Sequence, residues 1–318
     1  MTAQRWLLGI EIGGTKLQAA IGTSEGDILY LERGEAPPSE GAQGILAWYE
    51  KAVPKLLEQT AGKAAMTGIG VGFGGPVETA TGRTFVSHQV PGWEDVALKT
   101  WFEERFNMPT VVANDSNAAG WAEYCLGAGK GTRHFCYNNI GSGIGGALII
   151  DGKLHDGQGY GAGEIGHMYV PDWTSGAPGA ADKLENLCSG WSIERKLRAT
   201  APLDPDRPLY TLTGGNRENI TCAILAEAAR QGDTFALESI DKAAHAIGMA
   251  LANVITLFHP ERIAVGGGVG LMGDVLLEPV RRYAAHYVFA PYRDRYAIVP
   301  CALGESVVLA GAMLLASS

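Results

Sequence analysis

The stretch LLGIEIGGTKLQAAIG, residues 7–22, decides how the rest of the chain is read. Two apolar runs flank Gly13-Gly14-Thr15-Lys16, the pattern of two strands joined by a tight turn. Glycine lets a backbone bend where other residues cannot, and lets it approach a ligand closely. Thr15 adds a hydroxyl, and Lys16 a point charge suited to phosphate. The spacing is neither that of a Walker loop nor GxGxxG. On its own the turn reads equally as a plain hairpin or as a phosphate grip.

Outward from this turn, DILYLERGE continues the meander, and Ile45, Tyr49, Val53 and Leu56 then mark one face of a helix. GIGVGFGG and PTVVAND read as buried strands. Between them DVALKTWFEERF reads as a helix with Val96, Trp101 and Phe102 toward the core and Asp95 as N-cap. After Asn114-Asp115, SNAAGWAEYCLGAG reads as a helix closed by Gly127. HFCYNNIGSGIGGALIIDGKLHDG then repeats the opening: strand, Gly-rich turn, strand, short turn, strand. Two such units facing each other would place two Gly turns on opposite sides of one cleft, an arrangement suited to a polyphosphate. Ile240, Ala244, Ile247, Leu251, Val254, Ile255 and Phe258 trace a long amphipathic helix leading into the strand HPERIAVGGGVG. GESVVLAGAMLLA reads as a packed helix. Residues 171–182 and 200–216 read as irregular connectors.

The bulk properties set bounds. The 318 residues are 46% hydrophobic and 19% charged, enough for a sizeable core in two domains or one large one. A net charge of -9 without a basic run argues against nucleic acid as a partner. It leaves nucleotides open, because backbone N–H groups at a Gly turn hold phosphate without net charge. Five scattered cysteines without CxxC spacing argue against a disulfide framework and suit a reducing cytosol. The N-terminus has too short an apolar run for a signal peptide, and no window is long enough to span a membrane. A cytoplasmic protein is expected.

Other residues carry possible chemistry. Gly141-Ser142-Gly143 has the character of the first turn, and Gly266-Gly267-Gly268 closes another strand. Three Gly-rich strand ends are hard to ascribe to turns alone. Asp115, where a strand meets a helix, is either an N-cap or a base that takes a proton from a hydroxyl attacking phosphorus. Glu164 and His167, three apart between glycines, are either structural or a pair that grips vicinal hydroxyls.

The string DGKLHDGQGYGAGEIGHM, residues 151–168, resembles the signature of the ROK family (repressors, open reading frames, kinases). EIGGTK, GFGGPVETATG, ANDSNAA, NIGSGIGG and LFHPERIAVGGGVG fall in that family's order and cover nearly the whole chain. The resemblance implies an α/β protein of the actin-like ATPase (ribonuclease H-like) fold, with two lobes around a central cleft. The lobes are expected at 1–115 plus 305–318 and at 116–304. It further implies an ATP-dependent sugar kinase, most readily one that makes glucose 6-phosphate. The turns at 13–16 and 141–143 would clasp ATP phosphates and 266–268 would border the adenosine. Asp115 would be the base, with Gly75, Asn114, Glu164, His167 and Glu185 on the sugar.

Two departures from the family's pattern matter. Residues 168–184 contain none of the cysteines of its zinc knuckle, and four zinc ligands cannot be assembled there, so no zinc is expected. Trp173 is a candidate to pack the loop instead. The family's first strand ends in Asp, which helps orient the Mg²⁺–phosphate shell, where this chain has Glu11. One extra methylene shifts a carboxylate by about an ångström, which an outer-shell contact to Mg²⁺ tolerates. A purely structural hydrogen bond from Glu11 is the alternative. In SHQVPGW, residues 87–93, Gln89 stands where related kinases often have Asn, which leaves the hexose open among glucose, fructose, mannose and N-acetylhexosamines. A homodimer is the expected assembly. Of the rival classes, a silent sugar-binding regulator would need a ruined metal shell. A repressor would need a helix-turn-helix ahead of the first strand, and too few residues precede it.

Overall fold

The computed structural model describes residues 5–14, 16–35, 39–61, 63–87, 90–172, 175 and 177–317. The chain forms two compact units, one of residues 1–131, 147–162 and 302–318, the other of 132–146 and 163–301.

In the first unit β1 (Arg5–Ile12), β2 (Lys16–Thr23) and β3 (Ile28–Glu35) form an antiparallel meander. The helix α1 (Gly41–Thr60) returns the chain to β4 (Ala65–Phe73), parallel to β1. A short hairpin, β5 (Val77–Glu78) and β6 (Arg83–Thr84), precedes α2 (Leu98–Phe106). The strand β7 (Thr110–Asn114) pairs with β4, and α3 (Asp115–Cys125) follows at once. The sheet order is β3-β2-β1-β4-β7. Ile45, Tyr49, Val53 and Leu56 of α1 are all buried against Ile10, Ile12 and Phe102. Each such side chain contributes roughly 1.5–3 kcal/mol by leaving water. Asp95 does not cap α2. Ala97 holds that place, while Asp95 takes a positive φ of 56° and pairs with Arg83 at 2.8 Å.

The second sheet has the order β10-β9-β8-β13-β14 and is built the same way. Its meander is β8 (Phe135–Ile140), β9 (Ile144–Ile150) and β10 (Lys153–Leu154). A single 3-10 turn, Ile165–His167, leads to the hairpin β11 (Tyr169–Pro171) and β12 (Ala181–Lys183). Five helices follow: α4 (Leu184–Cys188), α5 (Gly190–Thr200), α6 (Pro208–Thr213), α7 (Cys222–Arg230) and α8 (Thr234–Phe258). The strand β13 (Arg262–Gly266) lies parallel to β8, and α9 (Gly267–Gly270) and α10 (Asp274–Tyr287) lead to β14 (Ala297–Pro300). The connector expected at 200–216 is thus helical in its middle. Pro208 begins α6 and Gly214 ends it in the left-handed region, the usual helix punctuation. On α8 the apolar stripe is buried as far as Ile255, but Phe258 is 43% exposed because the helix ends there, at a left-handed His259.

The last helix, α11 (Val307–Ala316), packs on β1, β4 and α3 of the first unit. Two glycines make this approach possible. A Cβ on Gly70 would stand 1.9 Å from the Ala312 carbonyl oxygen, and one on Gly311 would stand 1.8 Å from that of Ala118. Backbone sits where a side chain would have to be, so Gly311→Ala is expected to destabilise the protein by about 3 kcal/mol, the upper range for overpacking. Thermal unfolding would show it. Because α3 packs on α11, the first unit runs past the boundary expected at 115/116, to Gly131. The buried Glu123 carboxylate of α3 accepts from the backbone N–H groups of Ala128 (2.8 Å), Ala302 (3.2 Å) and Leu303 (2.7 Å). It therefore ties the stretch before the chain first leaves this unit to the one by which it finally returns.

Candidate active site

In the first unit the site is built on the ends of β1, β4 and β7. Asn114, the last residue of β7, caps α3: its Oδ1 accepts from Ser116 N (2.9 Å) and Asn117 N (3.1 Å). Its Nδ2 donates to Gly75 O at 3.2 Å, so two residues singled out for sugar binding are brought together. Asn114 is thus the N-cap of α3, and Asp115 is the first residue of the helix. Asp115 occupies the first helical turn, where the macrodipole favours an anion. Its Oδ1 accepts from Ser116 N at 2.6 Å and from Ser116 Oγ at 3.2 Å.

Gly74, which the motif reading passed over, joins Asp115 to the opening turn. Its N–H donates to Ile12 O at 2.8 Å, and a Cβ there would stand 3.5 Å from Asp115 Oδ2 and 3.7 Å from Gly13 Cα. The internal repeat could have flagged it, since Gly74-Gly75 follow β4 as Gly267-Gly268 follow β13. Gly13 itself is not left-handed; a Cβ there would come to 3.0 Å from Lys16 O, a tight contact. Gly14 completes the described part of this turn, and Thr15 lies outside the described residues, as does Gln89.

Glu11 sits in a ladder running across three strands. Glu11 faces Gln18 on β2, and Gln18 faces Arg33 on β3. Gln18 Nε2 donates to Glu11 Oε2 at 2.5 Å, and Arg33 Nε donates to Gln18 Oε1 at 3.3 Å. Lys16 Nζ lies 3.6 Å from Glu11 Oε1, so the cation expected to face phosphate is paired with this carboxylate. Burial pushes the Glu11 carboxyl above its usual 4.5, against the opposing pull of Lys16 and Gln18.

In the second unit the turn at 141–143 is braced from behind. Gly141 N donates to Gly143 O, and Gly190 N donates to Gly141 O. Glu185 at the start of α4 accepts from Ile144 N at 2.7 Å, and a Cβ on Gly143 would stand 2.7 Å from that Glu185 oxygen. One oxygen of Glu185 thus holds the turn. Gly267 has a φ of +79°, while a Cβ on Gly268 would meet open space. Gly141, Ser142 and Gly268 line one cavity of about 600 Å³ together with Trp191, Thr221 and Arg230. The second and third Gly turns therefore share a site. Trp191 is 58% exposed, with the Arg195 guanidinium 4.2 Å from its ring. Arg230 donates to Met272 O at 2.8 Å. Trp191, Thr221 and Arg230 belong to no motif, and only the fold assembles them. Burial, reinforced by nearby Glu194, pushes the Cys222 thiol in this cavity up to about 12, so it is neutral at physiological pH.

Glu164 precedes the 3-10 turn and His167 is its last residue, both exposed. Trp173, the candidate to pack the following loop, lies outside the described residues. The β11–β12 ladder, in which Tyr169 faces Lys183, closes that loop, and Leu184 N donates to Met168 O at 2.8 Å. Among the described residues no group of three or more His, Cys, Asp or Glu could hold a metal ion.

Two matching five-stranded sheets, each with Gly-rich turns after its first and fourth strands, define a duplicated α/β protein of the actin-like ATPase fold. The chain belongs to the ROK family, whose model matches residues 7–318. It is 33% identical to a glucokinase of Halalkalibacterium halodurans over 300 residues, 92% of this chain and 89% of that protein. It is 32% identical to a glucokinase of Streptomyces coelicolor over 313 residues, 97% and 96% of the two chains. Among solved structures it is similar to the ROK family glucokinase from Streptomyces griseus in complex with glucose and AMPPNP. The TM-score is 0.82 at 32% identity, covering 98% of this chain and 99% of that one.

Proposed function

We propose that this protein is an ATP-dependent sugar kinase that converts glucose to glucose 6-phosphate. Family membership and the similarity to glucokinases, one of them solved with glucose and AMPPNP, support the reaction class. The structural observation that carries it is Asp115. A carboxylate in the first turn of α3, spared the capping role by Asn114, lies against Gly74 and beside the Gly13 turn.

Asp115 takes the proton of the sugar hydroxyl as that oxygen attacks the γ-phosphorus. The new O–P bond forms, the bond to the bridging oxygen breaks, ADP leaves, and the proton rests on Asp115. The turns at 13–16 and 141–143 align the phosphates, since phosphoryl transfer depends chiefly on positioning and charge stabilisation. The cavity beside Gly268, floored by small residues and walled by Trp191, takes the nucleoside. Asn114, Gly75, Gln89, Glu164, His167 and Glu185 hold the sugar. Mg²⁺, bound with the nucleotide, supplies charge neutralisation. Glu11 suits its outer shell, because both carboxylate oxygens are already engaged, by Lys16 and Gln18, and Mg²⁺ commonly keeps several waters.

Gln18 gives this role a pH test. Its amide opposes the upward push of burial on Glu11, so Gln18→Leu raises the Glu11 pKa further. Ionised Glu11 then forms only at higher pH, and the acid limb of kcat is expected to move upward, as a pH–rate profile would show.

The protein is taken to work in the cytoplasm as a homodimer, the commonest closed assembly. Among the described residues no helix is long and apolar enough to cross a membrane. The acceptor is tested by comparing kcat/KM for glucose, fructose, mannose, N-acetylglucosamine and N-acetylmannosamine with Mg²⁺-ATP. Glucose is expected to lead; a higher value for another sugar would transfer the assignment to it.

A further inference from the structure

The imidazole assigned to the sugar has a partner of its own. Lys183 Nζ lies 3.2 Å from His167 Nδ1. The contact follows from the hairpin, whose register sets Lys183 opposite Tyr169, two residues beyond His167. The adjacent Asp182 carboxylate does not claim the ammonium: its Oδ1 accepts from Lys183 N (2.7 Å) and Asn186 Nδ2 (2.8 Å). Among the described residues Lys183 has no ion-pair partner.

An ammonium has protons to donate and no lone pair to accept with. The ring nitrogen facing it must therefore accept, which leaves the single ring proton on Nε2. An imidazolium would set two donors against each other. We propose that Lys183 is a positioning residue that holds His167 as the neutral Nε2–H tautomer, so that Nε2 presents a donor to a sugar hydroxyl oxygen. This rests on the sugar-kinase reading. Glu164, three residues earlier, is an acceptor for a hydroxyl proton. One donor and one acceptor then read a pair of neighbouring hydroxyls, where two acceptors would not. In a loop without cysteine, a lysine side chain fixes the ring by hydrogen bonding.

The test begins without any reaction. In protein labelled with 15N-histidine, long-range 1H–15N spectra separate the two tautomers, and the His167 signals are assigned by their loss in His167→Gln. The wild type is expected to show His167 as Nε2–H, and Lys183→Met a mixture with Nδ1–H. Kinetically, Lys183→Met is expected to raise the sugar KM about five- to tenfold, the worth of one hydrogen bond, with the KM for ATP unchanged. Lys183→Arg, which also donates to Nδ1, is expected to restore both signals and KM. An Nδ1–H tautomer or an imidazolium in the wild type would overturn the proposal. So would a Lys183→Met variant with unchanged tautomer and sugar KM. Failure to phosphorylate any sugar would defeat the functional reading, while the spectra would still decide the tautomer.

Discussion

Asp115→Asn is expected to lower kcat by about 10²–10⁴-fold, the range for loss of a general base, with the sugar KM nearly unchanged. The substitution is nearly isosteric and keeps an oxygen to accept from Ser116 N and Oγ. Asn114 still caps α3 through Ser116 N and Asn117 N, so the helix start is not put at risk. What disappears is the ability to take a proton. Steady-state kinetics would check it, with circular dichroism showing an unchanged fold. A fall in kcat below tenfold would show that Asp115 is not the base.

Gly267→Ala is expected to raise the KM for ATP more than tenfold and to lower stability by about 2 kcal/mol. The backbone φ is +79°, which costs roughly 1–2 kcal/mol for a residue with a Cβ. The added methyl would also stand 2.4 Å from Asn139 Oδ1 and 2.5 Å from the Ile140 carbonyl carbon and oxygen. Ile140 is the last residue of β8 before the turn at 141–143, so relief of the clash displaces that turn, which is proposed to hold phosphate. Gly268→Ala is the control for stability alone, because its Cβ would meet no protein atom within 4 Å although the residue lines the cavity proposed for the nucleoside. Calorimetric titration with AMPPNP and thermal unfolding of both variants would separate the two effects.

Much of this was legible in the sequence because local signals agreed. The α1 stripe, the two meanders and the strand–helix junction at Asn114-Asp115 each follow from periodicity or from residues with one conformational use. The structure then gives Asn114 the cap and leaves Asp115 in the first turn, a choice that either side chain could have filled. Other features were not legible because they depend on contacts distant in sequence. The ladder from Glu11 through Gln18 to Arg33 needs the register of three strands. The cavity joining Ser142 to Trp191, Thr221 and Arg230 needs α5, α7 and α9 packed together. Gly13 does not take the positive φ expected of a turn glycine; a Cβ there would stand close to Lys16 O, and one on Gly143 close to a Glu185 oxygen. At Asp95 a cap signal was present, but the helix begins two residues later than the signal requires, and Asp95 instead pairs with Arg83.

The most direct test of the central claim is the 31P spectrum of Mg²⁺-ATP and glucose incubated with the protein. One phosphomonoester at C6 of glucose is expected, formed in equal amount with ADP and about 10²–10⁴-fold more slowly with Asp115→Asn. Unchanged ATP, or ADP with inorganic phosphate irrespective of glucose, would contradict it.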